Sequence, residues 1–382
     1  MLLTFLVFLV ILSVLILIHE FGHFILAKRY GIKVEEFALG LPFSRPLWSK
    51  KNKDGMIVAI YPFLFGGFVR LLGEDDDSAK IRKNPKSFAH KPWKVRSAIL
   101  LGGVMMNFLL AVVLLYFYLS LSGFKTFLPE FVKYQFHGAS QKSRVLVVDV
   151  EKNTPGKLSG LSPGDIIVAA DGQEVNTNTL SSLMKEKAGS VTRLTVYHQV
   201  PLQPKTISII PRISPPKGEG PLGIAISDVI EVSYPKITQK LTSGFSLAFD
   251  FGIYTIKILG VLIGRSFSAH TAEPIVSNLS GPVGILDQIN SLLSFGGMEA
   301  LLNIIQLVSV MTINLAIVNV LPFPAMDGGR LFFVVAEGIL GKKMKPKWER
   351  YIHNVGFALL LALMVFITYN DIGKILTRIF SK

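Results

Sequence analysis

The residues with the most chemistry in them are His19-Glu20-Phe21-Gly22-His23. On a helix, positions i and i+4 share a face, so both imidazoles can reach one Zn2+ ion. Glu20, between them, is suited to take a proton from an attacking water. A solvated helix surface is the ordinary setting for such a pattern. Here an uncharged, mainly apolar run, Leu2–Ile18, leads straight into it, and ionisable groups are costly beside hydrocarbon unless paired or metal-bound. The chain has no Cys. Disulfides, thiolate catalysis and thiolate ligands are therefore excluded, and a metal must be held by His, Asp or Glu. A hydrolytic zinc site takes a third protein ligand and keeps one position open. Asp327 is the candidate, as the only other acidic residue within the long apolar stretches.

The elements that must position these groups follow from composition. Of 382 residues, 50% are hydrophobic and only 17% charged, against about 25% charged in ordinary soluble domains. That balance excludes a soluble globule, a disordered chain and a fibrous repeat, and implies a polytopic α-helical membrane protein. Four stretches are long enough, or nearly so, to cross a bilayer, which gives spans at 1–28, 97–124, 300–327 and 354–370. The first lacks the basic start and small-residue cleavage site of a signal peptide.

The loops set the orientation. Lys28–Arg96 carries 15 basic and 7 acidic residues, and Gly328–His353 carries 6 and 2. Lys125–Glu299 carries 16 and 14, although it is far longer. Short basic loops stay cytoplasmic. Residues 29–96 and 328–353 are therefore expected inside, and 125–299 outside with both termini, the tail being 371–382. The first and third spans then both run toward the cytoplasm. His19, His23 and Asp327 fall at a similar depth, a little inside the cytoplasmic face. The lipid bilayer is an expected partner and nucleic acid is not. Nothing in the sequence sets the oligomeric state.

Within the first loop, 55–73 alternates β-branched and aromatic residues around Pro62 and Gly66-Gly67. It reads as strands folded back on themselves, re-entering the membrane from the cytoplasmic side. The acidic run Glu74–Asp77 reads as a solvated turn. In the outer region, strand signals at 144–150, 193–198 and 206–211 accompany Gly160-Leu161-Ser162-Pro163-Gly164-Asp165-Ile166-Ile167 and Asp171-Gly172. This stretch resembles a PDZ domain of the kind found in bacterial proteases, and gives an inserted α+β module at 143–222. Ser243, Asp250 and Lys257 are spaced by seven in an apolar setting, so 236–266 is expected to be an amphipathic helix lying at the outer interface.

HEFGH on the first span, together with Asn319-Val320-Leu321-Pro322-Phe323-Pro324-Ala325-Met326-Asp327-Gly328-Gly329, resembles the site-2 protease family, close to its bacterial, RseP-type members. Ser280-Gly281-Pro282-Val283-Gly284 before the third span adds to the likeness. One departure is in the second span, where the family's Gly-Pro-x-x-Asn reads Gly103-Val104-Met105-Met106-Asn107. The resemblance implies His19, His23 and Asp327 as zinc ligands, Glu20 as catalytic base, and Asn314 and Asn319 as contacts to an extended substrate backbone. It also implies single-pass membrane proteins as substrates, already trimmed by another protease, such as anti-sigma factors or remnant signal peptides, in the bacterial inner membrane. The residues add their own arguments. Pro322 and Pro324 must break the helix just before Asp327. Asn314 and Asn319 would equally serve to hold helices together. Gly66, Gly67 and Phe68 are candidates to pair with an unwound substrate by β-addition. Two other functions need part of this constellation: a zinc transporter or metal sensor, which would also use intramembrane His and Asp, and a non-catalytic adaptor built on the PDZ-like module, which would not need Glu20.

Overall fold

The computed structural model describes residues 2–74, 78–197, 204–271, 273–341 and 346–380. They form two compact units, one of Met1–Val113, Leu259–Ser294 and Leu307–Lys382, the other of Leu114–Ile258 and Phe295–Gln306.

The first unit starts with helix α1, Leu2–Arg29, buried at Thr4, Phe8, Ile11, Leu15, His19, Gly22, His23 and Ala27. Steps of three and four keep these on one face, so the two histidines continue a buried stripe that begins in the apolar run. Strands β1 (Val34–Leu41), β2 (Trp48–Lys51), β3 (Ile57–Ile60) and β4 (Phe63–Leu71) follow, in the sheet order β2-β3-β1-β4. The 55–73 segment is therefore not a strand pair folded on itself. Strand β1 separates β3 from β4, parallel to the first and antiparallel to the second. Only Tyr61 and Pro62 join β3 to β4, and Tyr61 N–H donates to the Leu39 carbonyl of β1 instead. Strand β1 escapes sequence reading because Glu35-Glu36 looks like loop. Glu36 is in fact buried and accepts from the Tyr61 hydroxyl at 2.8 Å and pairs with Arg70 at 3.1 Å. Strand β4 is left at the sheet edge, along α1, where the Ser13 hydroxyl donates to the Leu64 carbonyl at 3.4 Å.

A single helical turn, α2 (Ala79–Arg82), and a 3-10 turn at Phe88–His90 lead to α3, Trp93–Leu121. This helix starts earlier than the expected 97–124, and Arg96 pairs with Glu337 at 2.7 Å. With valine at 104 in place of the family's proline, α3 runs on without a break. It crosses α1 with glycines at the contact: a Cβ on Gly22 would lie 2.1 Å from the Gly102 carbonyl oxygen. Small residues let helix backbones approach this closely.

The second unit holds β5 (Lys125–Pro129), β6 (Ser140–Val150), α4 (Pro155–Leu158), β7 (Ile166–Ala170), β8 (Gln173–Glu174), α5 (Thr177–Glu186), β9 (Thr192–Tyr197), β10 (Pro204–Ile209) and β11 (Ile224–Ser233). The strand order is β10-β9-β7-β6-β11-β5, with β8 on β7. Leu161 and Ile167 enter the core with Val145, Val147, Leu180, Met184, Leu194 and Val196. The expected strands form, except that His198 lies outside the described residues. The sheet exceeds 143–222, because β11 pairs with β6 on one side and, over Val229–Ser233, with β5 on the other.

Helix α6 covers Ile237–Ala269. Its Ser243 and Asp250 are fully buried rather than turned to water. Asp250 accepts from the His137 backbone N–H at 2.6 Å and the Tyr134 hydroxyl at 2.8 Å, and His137 Nδ1 lies 2.6 Å from it. Lys257 stands over the Tyr134 ring, 4.9 Å from its centroid. At Asp250 and Lys257 the polar face expected at 236–266 is thus a packing face for 134–137. By length and composition α6 is also apolar enough to cross a membrane, which makes five such helices among the described residues where sequence reading gave four spans.

The remaining helices are α7 (Glu273–Val276), α8 (Pro282–Leu293), α9 (Gly297–Val320), α10 (Asp327–Leu340) and α11 (Pro346–Phe380). Helices α3, α6 and α9 each supply residues to both units. The 328–353 stretch, expected as a loop, is mostly α10 and the start of α11, and the expected span 354–370 is the middle of α11. Buried Asp371 accepts from the N–H groups of Gly281 and Gly284, at 2.9 and 2.8 Å, at the start of α8. Glu74 is ion-paired with Arg330 rather than solvated, and Asp75–Asp77 lie outside the described residues.

Candidate active site

The site is built from the end of a buried helical stripe and the break in another helix. On α1, His19 and His23 both turn Nε2 toward one point, 3.2 Å apart. The third donor comes from a different element. Helix α9 stops at Val320 because Pro322 and Pro324 have no N–H to continue it. The chain turns through Ala325, a non-glycine residue at φ 76°, and resumes as α10 with Asp327 as its first residue. Ala325 N–H donates to His353 Nδ1 at 2.9 Å, which holds the turn from α11. Gly328 lets the new helix press back on the old one, since a Cβ there would lie 2.1 Å from the Leu321 carbonyl oxygen.

Asp327 Oδ2 lies 2.8 Å from His19 Nε2 and 3.1 Å from His23 Nε2. Donors held about 2.0–2.1 Å from a tetrahedral ion stand about 3.3 Å apart, so the three atoms fit a shared Zn2+. They form the one three-donor cluster found among the described residues. The histidine side chains are 9% and 8% exposed and the aspartate 24%, so the cluster opens on the Asp327 side. His23 Nδ1 faces the Ile99 carbonyl at 2.8 Å, and His19 Nδ1 faces the Asn107 amide at 3.2 Å, both on α3. Gly103 makes room for the rings: a Cβ there would lie 2.6 Å from both His19 Cε1 and His23 Nε2.

Glu20 is not in the cluster. Its Oε2 accepts the Val69 N–H of β4 at 2.9 Å, which leaves the other oxygen for chemistry. The candidate substrate residues divide. Gly66, Gly67 and Phe68 lie on the edge strand β4, and a Cβ on Gly67 would come within 3.2 Å of Ile16 and 3.8 Å of Glu20 Cγ. Asn314 and Asn319 lie on α9 outside the metal-type cluster. Asn319 is buried, and the buried Asn314 amide oxygen accepts no hydrogen bond. Sequence reasoning missed the parts played by Asn107, the Ile99 carbonyl and the Val69 N–H. Only Asn107 had a signal, as a lone amide in an apolar span four residues after Gly103.

Two imidazoles and a carboxylate on one point among apolar helices, with a second carboxylate held beside them, define a membrane metallohydrolase. The chain belongs to peptidase family M50, the site-2 proteases, whose profile matches residues 7–363. It is similar to the zinc metalloprotease RasP of Shouchella clausii, 27% identical over 97% of this chain and 99% of that one. RasP of Oceanobacillus iheyensis is 26% identical over the same shares. A Clostridium perfringens protein is 30% identical over 94% of this chain and 96% of its own. The protein is a zinc metalloprotease with several membrane-compatible helices, and the transporter and adaptor readings fall.

Proposed function

We propose that this protease cuts transmembrane segments of single-pass membrane proteins already trimmed by another enzyme, with His19, His23 and Asp327 holding the zinc and Glu20 as the base. The observation that carries the reading is the link from Glu20 to the edge strand β4 through Val69. A helical substrate hides its carbonyls in i→i−4 bonds, so it must unwind before it is cut. An unwound segment added to the edge of β4 between the Ser13–Leu64 and Glu20–Val69 contacts would be held at a fixed register to Glu20. When bound, zinc polarises the scissile carbonyl and lowers the pKa of water. Glu20 takes the proton of the attacking water on its free carboxylate oxygen and passes it to the leaving amide nitrogen. Asn314 and Asn319 would contact the substrate backbone from α9. Glu20→Gln should retain stoichiometric zinc and lose cleavage of a model membrane substrate. Retained cleavage by that variant would remove the mechanism.

The orientation follows the basic loops, with 29–96 and 328–353 cytoplasmic. Helix α6 then stays on the outer side despite its apolar length, because its Asp250 face is covered by 134–137. In intact cells, an impermeant thiol reagent should label a Cys placed at 180 and spare one placed at 80, and the reverse result inverts the topology. The PDZ-like module acts as a size filter rather than a peptide-binding recruiter. In support, β5 already occupies the β11 edge over Val229–Ser233. Replacing 123–235 by a flexible linker should admit untrimmed substrates while trimmed ones are still cut. Loss of trimmed-substrate cleavage in a folded, zinc-loaded variant would favour recruitment.

A further inference from the structure

A neutral imidazole has one bare nitrogen, so a ring that gives Nε2 to a metal must carry its proton on Nδ1. That N–H needs an acceptor in a buried site. His23 has one in the Ile99 carbonyl, 2.8 Å from Nδ1. What faces His19 Nδ1, at 3.2 Å, is the side-chain amide of Asn107. Asn107 is fully buried, and its amide oxygen has no hydrogen-bond partner. Its backbone is fixed, since its carbonyl accepts from the Thr312 hydroxyl at 3.2 Å. A carboxamide can present either oxygen or nitrogen to a neighbour, and the neighbour's proton decides which. With the His19 proton on Nε2, toward Asp327, the amide presents NH2 and its oxygen is stranded. With the proton on Nδ1, the oxygen turns inward and is satisfied.

We propose that Asn107 is a positioning residue that fixes the zinc-binding tautomer of His19 by accepting the Nδ1 proton on its amide oxygen. The inference rests on the assignment of zinc to His19, His23 and Asp327. Such outer partners typically set metal affinity by about 10–100-fold. It gives the Gly103–Asn107 spacing a purpose: one turn of α3 brings a glycine under the rings and an acceptor beside one of them.

The test is zinc affinity, measured by chelator competition on the full-length protein in detergent. Asn107→Leu should bind zinc about 10–100-fold more weakly. Asn107→Asp, whose carboxylate oxygen still accepts, should stay within a few-fold of the parent or bind more tightly. Unchanged affinity in Asn107→Leu overturns the proposal. So does equal weakening in both variants, because a packing role would not tell them apart. A parent protein that binds zinc no better than His19→Ala would instead refute the ligand assignment. Should the variants not fold, histidine nitrogen NMR of the zinc-loaded parent decides: a protonated Nδ1 on His19 supports the proposal, and a bare Nδ1 overturns it.

Discussion

Asp327 and Asp250 are both carboxylates at apolar helices, yet their surroundings differ in kind. Asp250 is fully buried and is surrounded by a backbone N–H, a phenol hydroxyl and an imidazole nitrogen. The backbone N–H and the phenol hydroxyl both donate to it, so the carboxylate serves as a clasp for 134–137. Asp371 is a clasp of the same kind, held by the N–H groups of Gly281 and Gly284. Asp327 faces two imidazole nitrogens, each of which can offer a lone pair in place of a proton. It is also the partly exposed one. An ionisable residue in a membrane helix is a default functional hypothesis. Here the partners, and not the carboxylate, separate the site from the clasps.

The largest effect should come from removing each carboxylate in turn. Asp327→Ala should abolish both zinc binding and proteolysis, because two remaining ligands make a poor site. Asp250→Ala should leave zinc stoichiometry intact and destabilise the second unit by about 1–3 kcal/mol for each donor left buried without a partner. Metal analysis and thermal unfolding separate the two, and zinc loss in Asp250→Ala would erase the distinction.

A smaller effect should distinguish two glycines on apolar helices. Gly103→Ala forces a methyl against both imidazoles, with a typical overpacking cost of about 1–3 kcal/mol and weaker zinc binding. Gly260→Ala, on α6, meets nothing within 4 Å and should be neutral or stabilising by up to about 1 kcal/mol. Zinc titration and unfolding of both variants check this, and equal behaviour would mean that the crossing of α1 and α3 is looser than described.

The smallest effect concerns a third carboxylate, Asp171, in the second unit. The Lys187 ammonium and the Arg193 N–H hold the Asp171 carboxyl below its ordinary value. A carboxylate with a lower pKa folded than unfolded adds stability that is complete above the unfolded value, about 4, and disappears as pH falls through the folded one. Asp171→Asn should therefore slightly flatten the acid limb of the second unit's stability, read by unfolding between about pH 2 and 5, and leave zinc binding at neutral pH unchanged. A zinc effect would mean that Asp171 serves more than the stability of its own unit.

Much of the site was legible because its signals are local. The i, i+4 histidines, the apolar run before them and the prolines before Asp327 each act through the backbone of their own segment. The β1 strand was not legible, because buried Glu36 is acceptable only with Tyr61 and Arg70 beside it. The buried face of α6 was hidden for the same reason: spacing shows that Ser243, Asp250 and Lys257 share a side, but not that Tyr134 and His137 meet Asp250 there.

What the sequence by itself determined is the donor set, the apolar helices and the break that frees Asp327, since these depend on residue type and helical period. The tertiary structure decided which carboxylate is held by a backbone N–H and a hydroxyl and which faces two imidazole nitrogens. It also decided that Glu20 is tied to Val69, and that the amide beside His19 comes from Asn107, 88 positions away along the chain. The physical reason is that hydrogen-bond saturation is a property of neighbours in space, and in this chain those neighbours come from segments far apart in sequence.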